Sequence, residues 1–212
     1  MGKILIEDTE IELRERDVPQ GEQHIIEGKK YINRTIINRE FESTIYSYGE
    51  VEKMLVSKVS RFNMLYYKIV LFHDESQKAW NLIEIPVQLD VQVKRMCEEN
   101  FVITADGKGS RSVMSQISFC KLKPSTKVEE KTISFTTLNE VRFIASGSQQ
   151  FILISYSDLR DEVFFHTLAL YNAEGKCEQT LYEFAENDDV TYTYEVVDGN
   201  KVKIYKQELT KK

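Results

Sequence analysis

The sequence predicts a mainly β protein: antiparallel sheets, sandwich or barrel-like, with one short amphipathic helix near residues 50–62. Three observations carry that prediction. Between Gln150 and Gln207 the segments FILISYS, EVFFHTLALYN, KCEQTLYEF, VTYTYEVV and KVKIYKQ follow one another, each rich in β-branched and aromatic side chains. The breaks between them, DLRD, NAEG, ENDD and DGN, are made of turn-forming residues. A composition of 42% hydrophobic and 29% charged residues over 212 positions supports a packed core that needs no disulfide staples.

From the N-terminus, Ile4 and Ile6, then Thr9, Ile11 and Leu13, alternate as a short opening strand or hairpin. Residues 14–28 are polar, contain Pro19 and Gly21, and read as a loop. KYINRTIIN (30–38) and FESTIYSY (41–48) are β-rich. The helix is expected next. Val51, Met54, Leu55, Val59 and Phe62 recur at helical spacing, Ser47 and Glu50 have capping-box spacing, Lys58 and Arg61 suit a last turn, and Asn63 is a plausible stop.

MLYYKIVLF (64–72) and AWNLIEI (79–85) flank HDESQ (73–77) as a hairpin. Val87, Leu89, Val91 and Val93 alternate as a strand, with Pro86 at an edge or bulge. Residues 101–104 and 113–121 are further strands around the flexible turn ADGKGS (105–110). KLKPSTKVEEK (121–131) reads as a linker, and Ile133, Phe135, Val141, Phe143 and Ala145 resume the alternation. Roughly fifteen short strands result. They form a single domain over 1–212, with two β subdomains, 1–122 and 131–212, as the alternative. YKIVLFHDESQKAWNLIEI and ILISYSDLRDEVFFHTLALY share a strand–turn–strand outline, which is weak evidence for duplication because any two hairpins would.

The last hairpin permits a register prediction. A two-residue Asp198-Gly199 loop would send the apolar side chains of the two strands to different faces. A three-residue loop, Asp198-Gly199-Asn200, sets Val196 opposite Val202 and Tyr194 opposite Ile204, with Asn200 supplying the left-handed conformation.

The net charge of −6 is unevenly distributed. Residues 94–137 carry 8 basic and 5 acidic side chains, residues 138–200 carry 3 and 12, and residues 201–212 carry 5 and 1. The C-terminal sheet is therefore acidic and its last strand basic. Such fields steer partners without setting the fold. Three cysteines at wide spacing, Cys97, Cys120 and Cys177, read as free thiols, those of Cys120 and Cys177 buried. No apolar run reaches membrane-spanning length and the N-terminus lacks a signal-peptide core. The expectation is a cytoplasmic protein, exported if Met1-Gly2 replaces a removed signal. Asn33-Arg34-Thr35 fits the N-glycosylation pattern, which matters only in a secreted protein.

Catalytic signatures are missing from the sequence. Asp106-Gly107-Lys108-Gly109-Ser110 has phosphate-loop residue types in the wrong order, and there is no dinucleotide fingerprint or nucleophile elbow. His24, His73 and His166 stand far apart, without metal-ligand spacing, and Asn187-Asp188-Asp189 lacks the calcium-loop pattern. No cofactor or metal is expected. Nucleic-acid binding is disfavoured by the acidic total.

What stands out is tyrosine, 11 in all and many on strands. Its ring packs while its hydroxyl stays wet, which suits sheets and interfaces alike. The expected function is a non-catalytic interaction module, of inhibitor, immunity, adaptor or assembly type. An acidic, tyrosine-rich surface of Glu183, Glu186, Asp188, Asp189, Tyr192 and Tyr194 would bind a basic protein, and self-association remains an alternative. A second reading is a β-barrel carrier holding a small apolar ligand among Trp80, Tyr66 and Phe164. A third is an enzyme with a site assembled from His73, Asp74 and His166.

Overall fold

The computed structural model describes residues 2–20, 23–26, 29–32, 36–41, 43–62, 64–108 and 113–209, and within 15–41 it gives backbone pairing alone. The glycosylation pattern at 33–35 and the end of the glycine-rich turn (Gly109, Ser110) lie outside the described residues. Twenty strands follow in order: β1 Ile4–Ile6, β2 Thr9–Glu10, β3 Glu15–Gln20, β4 Gln23–Ile26, β5 Lys29–Ile32, β6 Ile36–Phe41, β7 Thr44–Tyr48, β8 Glu52–Arg61, β9 Met64–His73 and β10 Lys78–Pro86. They continue with β11 Asp90–Cys97, β12 Asn100–Asp106, β13 Ser115–Leu122, β14 Val128–Phe135, β15 Thr137–Ser146, β16 Gln149–Arg160, β17 Val163–Asn172, β18 Cys177–Ala185, β19 Val190–Val197 and β20 Lys201–Glu208. The chain is mainly β, with antiparallel sheets, and no helix occurs among the described residues. Two compact units form, residues 11–86 and residues 1–10 with 87–212.

In the unit 11–86, β10-β9-β8-β7 form a four-stranded meander, and β3-β6 and β4-β5 pair as two-stranded sheets, so 14–28 is not all loop. The helix expected at 50–62 is a correction: that stretch is β8. Its buried residues are Met54, Val56 and Lys58, a period of two, while Leu55 and Val59 are only half-buried. Of the supposed capping box, Ser47 lies in β7 opposite Lys53 and Glu50 in the turn with Gly49 at φ 57°, and Phe62, the last residue of the helical stripe, is 98% exposed in the next turn at φ 50°. Cross-strand pairing with β9 over the whole length of β8, and with β7 over residues 52–56, overrides the local helical stripe.

The second unit has three layers. The first is the sheet β14-β13-β12-β11-β1-β2, in which β1 runs parallel to β11 (Ile4 opposite Val91, Ile6 opposite Val93) and the other pairs are antiparallel. The second is the meander β15-β16-β17-β18, and the third is the hairpin β19-β20. Met96, Val102, Ile117, Phe119 and Phe135 of the first layer share a core with Ile152, Ile154, Ala169 and Tyr171 of the second. Leu153 and Leu168, next in sequence and therefore on the opposite face, join Ile144, Tyr194, Val196 and Val202 in a second core under the hairpin. Ile152, Leu153 and Ile154 are each at most 1% exposed, which is why β16 reads as a continuous apolar run.

Turns fix the register. In β19-β20, Val196 lies opposite Val202 and Tyr194 opposite Ile204, as a three-residue loop requires. The left-handed residues, however, are Asp198 (φ 55°) and Gly199 (φ 72°), not Asn200, whose N–H donates to Val197 O at 3.4 Å. The stretch 121–131, expected as a linker, holds the end of β13, the turn at 123–127 and the start of β14, all within one sheet. The two stretches compared as a repeat occupy different places: β9-β10 end a meander, whereas β16-β17 are the middle of one.

Candidate partner interface

Alternation of direction in the meander brings the β16-β17 and β18-β19 turns to the same end of the second layer. Glu186 N–H donates to Phe164 O at 2.8 Å and ties them together. Asp161 and Glu162 are exposed in the first turn, both left-handed at φ 49° and 65°, which a two-residue hairpin loop demands. Glu186, Asp188 and Asp189 are exposed in the second. Asp188 Oδ2 accepts from Ala185 N at 2.8 Å, so its short side chain closes the turn as well as carrying charge. Arg160 is the nearest cation along the chain, and it is engaged by Glu183 at 3.0 Å with its guanidinium over the Phe165 ring.

Below the acidic end, on the face toward the hairpin, lies an aromatic group. Ser157, His166 and Phe184 are cross-strand neighbours on β16, β17 and β18. The His166 and Phe184 rings lie 5.1 Å apart, and Tyr192 stacks on Tyr182 at 5.5 Å and touches Phe184 at 5.7 Å. A bulge between Leu138 and Glu140 turns Asn139 so that its Nδ2 donates to Ser157 Oγ at 3.0 Å, and Ser157 Oγ meets His166 Nδ1 at 2.9 Å. Ser157 is only 5% exposed, so this serine–histidine contact pins two strands and presents no accessible nucleophile. Leu159, further along β16, is 52% exposed beside the acidic turns.

Of the residues expected at the partner surface, Glu186, Asp188, Asp189 and Tyr192 come together. Glu183 lies on the opposite face of β18 from Phe184: it accepts from Thr167 Oγ1 at 3.2 Å, and the Arg160 guanidinium holds its carboxyl below the usual carboxylate range. Tyr194 points inward and donates to Glu140 Oε2, while Arg142 Nε pairs with Oε1 of the same carboxylate. Burial, then Glu140, pushes the Tyr194 phenol well above its ordinary value. Asp161 and Glu162 were within the acidic segment but unassigned, because only the strand polarity brings them beside 186–189. Phe184 and His166 needed the cross-strand register.

The residues of the carrier reading fall in both units. Trp80 pairs opposite Leu71 with the buried side chains of β10, Tyr66 lies on the other face of β9 from buried Tyr67, and Phe164 belongs to the other unit. Every described sheet is open, ending in two edge strands. His73 Nδ1 accepts from Ser76 N at 3.3 Å and Asp74 pairs with Lys53, a local turn arrangement, while His166 is in the other unit. Lys108 pairs with Asp90 at 2.9 Å. All three cysteines are free, and Cys177, expected buried, is exposed, as is Cys97. An open cleft of about 570 Å³ borders Cys97, Gln149, Gln150, Asn172 and Glu178 at the end of the second layer away from the acidic turns. Among the described residues no group of three or more His, Cys, Asp and Glu could hold a metal ion, and no helix is long and apolar enough to cross a membrane. No protein-family model, no curated protein and no solved structure matches the chain.

Proposed function

We propose that this protein is a non-catalytic interaction module whose acidic end docks a basic protein surface. The observation that carries the reading is the convergence of Asp161, Glu162, Glu186, Asp188 and Asp189 on two adjoining turns, all exposed. Beside them sit exposed Leu159 and the half-buried Tyr192 and Phe184, an apolar footing next to charge. Charge steers encounter and discriminates against acidic partners, and the apolar and aromatic surface supplies the desolvated contact. An inhibitor of a basic enzyme, an adaptor and an assembly subunit all share this chemistry.

The test is affinity capture from an extract of the source cells. Wild-type protein should retain a basic protein that elutes as salt rises, and Glu186→Lys/Asp188→Lys/Asp189→Lys should lose it. Equal capture by the triple variant, or retention indifferent to salt, overturns the electrostatic reading.

A further inference from the structure

We propose that the free edge of β20 accepts an acidic, extended segment of another protein as an added strand, at a surface separate from the acidic end. Among the described residues β20 is hydrogen-bonded on one side only, to β19, in a two-stranded sheet. Seven of its eight residues are exposed, and among the described residues no strand pairs with the N–H and C=O groups on its far side. Such a row is a template for an incoming strand.

The side chains on this edge choose among guests. Val202 continues the core under the hairpin, and Ile204, on the same face and opposite Tyr194, is left 39% exposed. Tyr205 on the other face is 49% exposed, with its hydroxyl donated to Glu195 at 2.9 Å. An added strand would therefore find apolar contact on both faces at its middle. Lys201, Lys203 and Lys206 surround that middle, in a terminal segment 201–212 carrying 5 basic and 1 acidic side chains. Like charges directly opposite one another destabilise a strand pair, and opposite charges stabilise it. The lysines thus work against pairing of β20 with a second copy of itself and favour a guest strand bearing Asp or Glu at alternate positions.

The probe is a blocked, fluorescein-labelled heptapeptide, Glu-Val-Glu-Thr-Glu-Val-Glu, titrated into the full chain and read by anisotropy and by hydrogen–deuterium exchange. Binding should weaken several-fold between low and physiological salt. Exchange should slow at the β20 amides that face away from β19. Lys201→Glu/Lys203→Glu, both exposed positions that leave the core intact, should lose at least tenfold in affinity, and the lysine counterpart of the peptide should not bind the wild type. Absent binding, binding that leaves β20 exchange unchanged, or equal binding of the lysine peptide would each overturn the proposal. Self-association of the unliganded chain that Ile204→Lys abolishes would also overturn it, because the edge would then belong to a second copy.

Discussion

Tyr194 on β19 donates its hydroxyl to Glu140 on β15, spanning 54 positions of sequence and fastening the C-terminal hairpin to the first strand of the layer beneath it. Arg142 approaches the same carboxylate, so the acceptor is held from two sides. Around this contact the hairpin buries Val196 and Val202 against Leu153 and Leu168. A hairpin of two strands is marginal alone, and here it is stabilised by the sheet below.

Tyr194→Phe keeps the ring and removes the donor. It should lower unfolding free energy by about 1.5–3 kcal/mol in urea titration, the usual net worth of a hydrogen bond to a charged group. Limited proteolysis should then cut first in the turn 198–200. Capture of a basic partner should persist, since the tyrosine points inward.

Acid should destabilise the fold through two glutamates. Burial works to raise the Glu140 carboxyl, but hydrogen bonds from Tyr194 and Arg142 outweigh it and leave it lowered. Glu183 is lowered by Arg160. A carboxyl depressed in the folded state binds its proton more readily when unfolded. Its contribution is therefore complete above the ordinary glutamate value of 4.5 and is lost as pH falls through the folded value. Melting temperature should decline below about pH 4.5, and Glu183→Gln should make that decline shallower.

The thiols should divide by burial. Cys120 is 1% exposed, and burial with the nearby Glu130 charge pushes it up to about 12, whereas Cys97 and Cys177 are exposed. An aromatic disulfide reagent at pH 8 should modify two thiols in the native protein and a third only in denaturant.

Gly175 closes the β17-β18 turn at φ 74°, and a Cβ there would lie 2.5 Å from the Phe119 ring. Gly175→Ala is strained in backbone and in contact alike. It should cost about 1–3 kcal/mol by chemical denaturation.

Much of the fold was legible because strand alternation and turn chemistry act locally. The pairing of Val196 with Val202 follows from face matching alone, and the structure has it. The stretch around Met54 misled because Lys58 occupies a buried position, breaking the apolar alternation of Met54 and Val56 while Leu55 and Val59 completed a helical stripe. Nothing near Ile4 announces that it pairs parallel with Val91, since that contact depends on chain closure across 87 positions. The candidate surface was half legible. Glu186, Asp188 and Asp189 are consecutive enough to read as one patch, but Asp161 and Glu162 join them only through the antiparallel meander. Glu183 leaves the patch because side chains alternate along β18.

The most direct test of the docking surface is carboxylate footprinting with a carbodiimide and a labelled amine, on the free chain and on the chain bound to its captured basic partner. The account predicts that Asp161, Glu162, Glu186, Asp188 and Asp189 lose labelling together in the complex, while exposed Glu129, at the far sheet edge on β14, labels as before. Unchanged labelling of those five, or the failure of wild-type protein to retain any basic protein, would contradict it.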